Sequence, residues 1–166
     1  RRPDILLFVN GLPLGQIEGK NPTLDPTAKS TDSGKENSAA VSAINQVRHY
    51  TQTIPRLYRY VEFFAVSDLL ETRLGTITTP AEHFAQWKSM DISEDEGRTS
   101  LEITIGGAFA PAAFLDMIRN FTVFQADGER TYKVMAKYHQ VHAVNAAVES
   151  VAAAMQRGDG RGGVVW

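Results

Sequence analysis

The chain has 166 residues, 43% hydrophobic and 22% charged, a composition that suits a folded domain with its own core and excludes a disordered chain. Its formal net charge is −2, so any nucleic-acid surface must be a local basic patch and not a global property. No cysteine is present, which excludes a disulfide scaffold, a thiolate metal site and a cysteine nucleophile and fits a reducing cytoplasm.

Asp4 to Val9 is a nearly continuous apolar run of strand length, and Asn10-Gly11 is a strong hairpin-turn signal. Leu14 to Lys20 then reads as the returning strand. Residues 21–38, rich in Pro, Thr, Ser, Asp, Lys and Gly, read as a mobile surface loop. Helical periodicity starts near Ser38, a candidate cap, and places Ala40, Val41, Ile44, Val47 and Ile54 close to one face until Pro55 stops it. "YVEFFAVSD" reads as a strand and "ETRLGTI" as another short one. Thr79 to Ser100 is irregular, with Phe84 and Trp87 as core anchors and the acidic run "DISEDEG" as a solvated loop.

Beyond Leu101 the pattern changes. "APAAFLDMIRNF" reads as a helix with Pro111 in its first turn, "TVFQ" as a strand and Asp127-Gly128 as a turn. Thr131 to Gln156 is predicted to be one long amphipathic helix, with Val134, Met135, Tyr138, Val141, Val144, Val148 and Val151 as its apolar stripe. A glycine-rich linker, Gly158 to Gly163, leads into "VVW", read as a buried strand. Both ends read as cut, so a fragment of a longer protein is expected. The element order points to an α/β domain over residues 1–100, followed by the opening of a second over 101–166.

The chemistry concentrates in the first two strands. Glu18 and Lys20, two apart on one strand, share a face, and the hairpin brings Asp4 opposite the region of Glu18. Two carboxylates at one end of a sheet repel each other unless a cation or a lysine sits between them. Such a pair can hold a hard cation such as Mg²⁺ through oxygen ligands, with a lysine to stabilise developing negative charge. The plainer reading is a charged, solvated strand end. Gln46 and Tyr50 lie one helical turn apart on a common face. Arg48, Arg56 and Arg59 are candidates for a basic patch that contacts phosphates. His139 and His142 have helical metal-ligand spacing but no evident third ligand, which favours packing or surface roles.

"RPDILLFVNGLPLGQIEGKNP" resembles the nuclease motif of the motor (restriction) subunit of type I restriction–modification enzymes, with its PD…ExK core. The resemblance implies that Asp4, Glu18 and Lys20 are catalytic, that Asp4 and Glu18 bind Mg²⁺, and that Gln46 and Tyr50, as a Q-x-x-x-Y motif, position DNA. "KVMAKYHQVHAVNAAVESV" is similar to the bridge into the family's ATP-driven motor, where Gln140 matches a nucleotide-binding glutamine that reads adenine. "GGVVW" matches the strand before the phosphate loop, so ATP is expected for the intact motor subunit and not for these residues alone. The implied fold is a restriction-endonuclease-like mixed sheet flanked by helices, followed by the first elements of a RecA-like helicase lobe. The implied reaction is Mg²⁺-dependent hydrolysis of double-stranded DNA, in the cytoplasm, within a complex with methyltransferase and specificity subunits. Gly19 stands where the family usually has a bulky apolar residue, a change expected to cost strand stability by about 1 kcal/mol. A non-catalytic DNA- or partner-binding module on a degenerate nuclease fold is the alternative. A stand-alone repair nuclease fits less well, because the motor-like bridge follows.

Overall fold

A computed structural model describes residues 2–21, 39–68, 70–158 and 160. β1 (Ile5–Val9) and β2 (Leu12–Gly19) form the expected antiparallel hairpin. Both turn residues take positive φ, Asn10 at 49° and Gly11 at 81°, the backbone that a two-residue turn needs to match the twist of its strands. A bulge follows, since Leu7 faces Gly15 whereas Phe8 faces Pro13, a residue with no N–H to offer the ladder. Past the bulge Ile5 pairs with Ile17, a register that sets Asp4 against Glu18.

β3 (Phe63–Ser67) lies parallel to β2 on its other side, with Glu18 level with Val66 and Gly19 level with Ser67. β4 (Thr72–Gly75) pairs antiparallel with β3, which completes a mixed four-stranded sheet in the order β1-β2-β3-β4. All five residues of β3 are buried, as a strand covered on both faces requires.

α1 (Ala39–Thr53) covers one face with Ala43, Ile44, Val47 and Tyr50. Pro55 ends α1 and opens the short α2 (Pro55–Tyr58), whose Tyr58 joins Val61, Phe64, Val66 and Phe84 in the same cluster. The opposite face carries Ile17, Phe63, Ala65 and Leu74 under Trp87, Phe109, Phe114, Met117, Phe121 and Val141. Phe84 and Trp87 are thus buried anchors, one in each cluster. Two short 3-10 turns, Ala81–His83 and Ile92–Asp95, interrupt the irregular stretch, and the acidic run is largely exposed. α3 (Ser100–Gly106) was not legible from periodicity, but its start carries a capping box: Thr99 and Glu102 each accept from the other's backbone N–H. α4 (Pro111–Asn120) begins at Pro111, as expected.

The long helix from Thr131 is corrected. β5 (Thr122–Asp127) and β6 (Arg130–Met135) form a second hairpin through the Asp127-Gly128 turn, and α5 runs from Tyr138 to Arg157. Five cross-strand pairs hold Thr131 to Met135 extended, so tertiary pairing overrides the helical spacing of Val134 and Met135. The predicted apolar stripe of α5 is also corrected: Val141 is buried, whereas Val144, Val148 and Val151 are exposed. Gly158 closes α5 in the left-handed conformation at φ 66°. The expected loop after Asn21, the Ser38 cap, most of the glycine-rich linker and the "VVW" strand lie outside the described residues. Among the described residues no single helix is long and apolar enough to cross a membrane.

Lys133 fastens the second hairpin to the first sheet. Its ammonium pairs with Glu62 Oε2 at 2.9 Å and donates to the Val61 carbonyl at 3.2 Å. Its carbonyl accepts from the Thr76 and Thr78 hydroxyls at 2.6 and 2.8 Å, and its N–H donates to Thr78 Oγ1 at 2.8 Å. Lys133 is the more buried partner of the ion pair, so removing its counter-charge leaves a cation with little access to water. Glu62→Ala is therefore expected to lower stability by roughly 2–4 kcal/mol, and Lys133→Met by less, because the freed glutamate reaches solvent. Urea unfolding of the two variants checks the order.

Candidate active site

β2 is an internal strand, and its alternate side chains divide between the two clusters. Ile17 points to the α4 side. Gln16, Glu18 and Lys20 fall on the α1 side by the two-residue period of the strand. Glu18 and Gln16 are both 0% exposed, an unusual place for a carboxylate. The Glu18 oxygens are held by side-chain amides: Oε2 accepts from Gln16 Nε2 at 2.8 Å and Oε1 from Gln46 Nε2 at 2.5 Å. The Tyr50 hydroxyl approaches Oε1 at 3.4 Å and donates to the Arg2 carbonyl at 3.1 Å.

Asp4 sits at the exposed start of β1, where its Oδ2 accepts from the Gly19 N–H at 2.9 Å and its own N–H reaches Glu18 Oε2 at 3.4 Å. The Lys20 ammonium donates to Gln46 Oε1, and the Lys20 N–H bonds the Ser67 carbonyl at 2.7 Å. Gln46 therefore stands between the lysine and the glutamate, with Tyr50 OH 2.5 Å from its amide nitrogen. A Cβ at position 19 would lie 3.6 Å from Asp4 Oδ2, an ordinary contact, so glycine is not required there by space.

The structure thus brings Asp4, Glu18, Lys20, Gln46 and Tyr50 together. It does not bring Gln140 to them. That residue lies in the first turn of α5, where its Oε1 accepts from the Lys137 N–H at 2.8 Å, and α5 contributes Val141 to the cluster on the other face of the sheet. Arg48 donates to the Thr79 carbonyl at 2.8 Å, while Arg56 and Arg59 are exposed on and just after α2. His142 packs edge-on against Trp87 and Tyr138 and bonds the Lys88 carbonyl at 2.9 Å, a packing role. Sequence reading passed over Gln16 and Tyr58. Tyr58 OH donates to Gln16 Oε1 behind Glu18. The period-two rule that paired Glu18 with Lys20 extends back to Gln16 and was the available signal.

Burial, and after it the nearby Asp4 charge, push the Glu18 carboxyl above its ordinary value of 4.5, against the opposing pull of the Gln16 amide, the Asp4 N–H and Lys20. Burial and the Glu18 charge likewise push the Tyr58 hydroxyl up. Among the described residues there is no group of three His, Cys, Asp or Glu side chains that could hold a metal. An ion at this site would therefore have two carboxylates and would complete its shell with carbonyl oxygen and water. That donor set fits Mg²⁺, which commonly binds through one or two carboxylates and keeps several waters, and a cation would relieve the raised carboxyl.

The model of the family described as type I restriction enzyme R protein N terminus matches residues 1–83, which include all five of the clustered residues. The chain belongs to this family. The whole chain is also 36% identical to the type I restriction enzyme HindI endonuclease subunit of Haemophilus influenzae, of which it covers 15%. It is 28% identical over its full length to the "Putative type I restriction enzyme MjaIXP endonuclease subunit" of Methanocaldococcus jannaschii, of which it covers 16%. The chain therefore spans about one-sixth of the length of the curated relatives it matches.

The raised Glu18 carboxyl gives this fold a pH signature. The folded protein holds this proton more tightly than the unfolded chain. The stabilising contribution is fully present below the ordinary value of 4.5 and is lost as pH rises through the raised one. Without divalent cations, the thermal midpoint should fall as pH rises across that interval, and Glu18→Gln should reduce the fall. The same pH dependence in both proteins would place the titrating group elsewhere.

Proposed function

We propose that these residues form the cutting site of a type I restriction subunit, which hydrolyses phosphodiester bonds of double-stranded DNA with Mg²⁺. The observation that carries the reading is the convergence of Asp4, Glu18 and Lys20, with Gln46 bonded to both of the last two. Asp4 and Glu18 would hold the cation. When bound, it supplies charge neutralisation at the scissile phosphate and a water of lowered pKa. Lys20 would leave Gln46 to face the phosphate and stabilise its developing negative charge. Gln46 and Tyr50 would position the DNA strand beside the carboxylates. Arg56 and Arg59, exposed nearby in the chain, are available to contact phosphates.

A buried, proton-hungry carboxylate at the centre of a sheet lowers stability, and a cation-binding role accounts for its presence better than a degenerate binding module does. In this reading residues 1–100 are the endonuclease unit, of restriction-endonuclease-like fold, and 101–166 lead into the first RecA-like motor lobe. α3 and α4 pack on the first sheet. Gln140 would exchange its bond to the Lys137 N–H for the adenine of ATP in the intact subunit. Double-stranded DNA and the methyltransferase and specificity subunits would be the partners, in the cytoplasm.

Lys20→Ala in the full-length subunit, assembled with those partners, should abolish DNA cleavage and leave ATP hydrolysis intact. Cleavage at the wild-type rate would reduce Lys20 to a strand-end charge. Glu18→Ala should weaken Mg²⁺ binding in a calorimetric titration, and unchanged affinity would move the metal site elsewhere.

A further inference from the structure

Behind Glu18, on the side away from Gln46, lies a second polar pair that none of the roles above uses. Gln16 is 0% exposed and Tyr58 is 4% exposed, and they come from different elements, the centre of β2 and the end of α2. In its ionised, cation-binding form the Glu18 carboxylate accepts only, so the Gln16 atom that faces it is then the amide nitrogen. That leaves Gln16 Oε1 facing Tyr58, so the Tyr58 hydroxyl must donate. With Glu18 ionised the direction of the chain follows: Tyr58 OH to Gln16 Oε1, then Gln16 Nε2 to Glu18 Oε2 at 2.8 Å. Gln46 meets the other oxygen, Oε1, at 2.5 Å. One amide comes from α1. The other is fixed in the sheet, and α2 locks its orientation.

We propose that Gln16 and Tyr58 are positioning residues that hold the Glu18 carboxylate in the rotation needed for divalent-cation binding, with Tyr58 acting through Gln16. The inference rests on the proposed metal role of Glu18. Loss of the Tyr58 hydroxyl leaves Gln16 Oε1 buried without its donor and removes the bond that fixes the plane of the amide beside Glu18. Removal of the amide leaves Oε2 without its buried donor. Supporting partners of metal ligands commonly contribute about 10–100-fold to metal affinity, so a defect of that order is expected in the cation requirement and not in DNA binding.

The test uses the full-length subunit in its assembled complex, with cleavage measured over a Mg²⁺ series for wild type, Tyr58→Phe, Gln16→Met, the double variant and Glu18→Ala. Tyr58→Phe and Gln16→Met should each raise the Mg²⁺ concentration for half-maximal cleavage by about tenfold. The KM for DNA and the rate of ATP hydrolysis should stay near wild type. The double variant should be no worse than Gln16→Met alone, because Tyr58 acts through that amide. A wild-type Mg²⁺ dependence in Tyr58→Phe, with cleavage lost in Glu18→Ala, overturns this inference and leaves the proposed function standing. Normal cleavage by Glu18→Ala overturns the proposed function itself. If Gln16→Met fails to fold, Tyr58→Phe, which removes a single oxygen, still decides.

Discussion

A carboxylate with no exposed surface, placed in the middle strand of a sheet, is the condition around which the site is arranged. Burying such a group without partners would cost several kcal/mol, on the order of the net stability of a small domain. The fold answers with donors from three directions. Gln16 lies beside Glu18 on its own strand, Gln46 comes across from α1, and the Asp4 N–H comes from the hairpin partner. Each donor depends on an element packed for other reasons. α1 is in place because Ala43, Ile44 and Val47 bury against Phe64 and Val66, and α2 because Tyr58 closes the same cluster. The hydrophobic layer therefore sets the polar geometry to within hydrogen-bond tolerance.

The two sides of the sheet divide the work. The α1 side carries polar groups set into an apolar cluster. The opposite side is apolar, with Phe63, Phe109 and Phe114 in mutual ring contact at 5.1–5.7 Å between centroids. That layer fixes the height of β2 and β3, and β2 presents Glu18. The layer that covers this side is built largely from residues after Ser100, so the later part of the chain supports a site whose carboxylates lie in the first twenty residues. The Lys133 tie adds a second support, from the β5–β6 hairpin to the residues that flank β3 and follow β4.

The hairpin, its turn and the convergence of Asp4 with Glu18 were legible in the sequence because they follow from local rules: an Asn-Gly turn and a period of two. The bridging role of Gln46 was not, because it depends on how α1 docks, and docking is settled by long-range packing. The Thr131 helix failed for a related reason. Val134 and Met135 satisfy helical spacing, but strand pairing with Thr122 and Val123 outweighs it. α5 shows the limit of amphipathicity as evidence, since a stripe of valines says that a face could be buried and not that anything covers it. Gln16 was hidden by being polar in an internal strand, where a pattern reading expects an apolar residue.

The β1–β2 turn bears on the site in a way that its distance along the chain conceals. Glu18 is fixed in an internal strand, but Asp4 stands at the start of an edge strand and owes its position to one number, the alignment of β1 on β2. That alignment is set by two residues with positive φ at Asn10 and Gly11 and by the extra residue at the Leu7–Phe8 step. A slip of one residue would turn Asp4 to the other side of the sheet and leave Glu18 where it is. Asn10 and Gly11 lie at the far end of the hairpin from the carboxylates, yet they set the spacing between the two acids. Damage there would look like the loss of one acid, with both acids still in the chain.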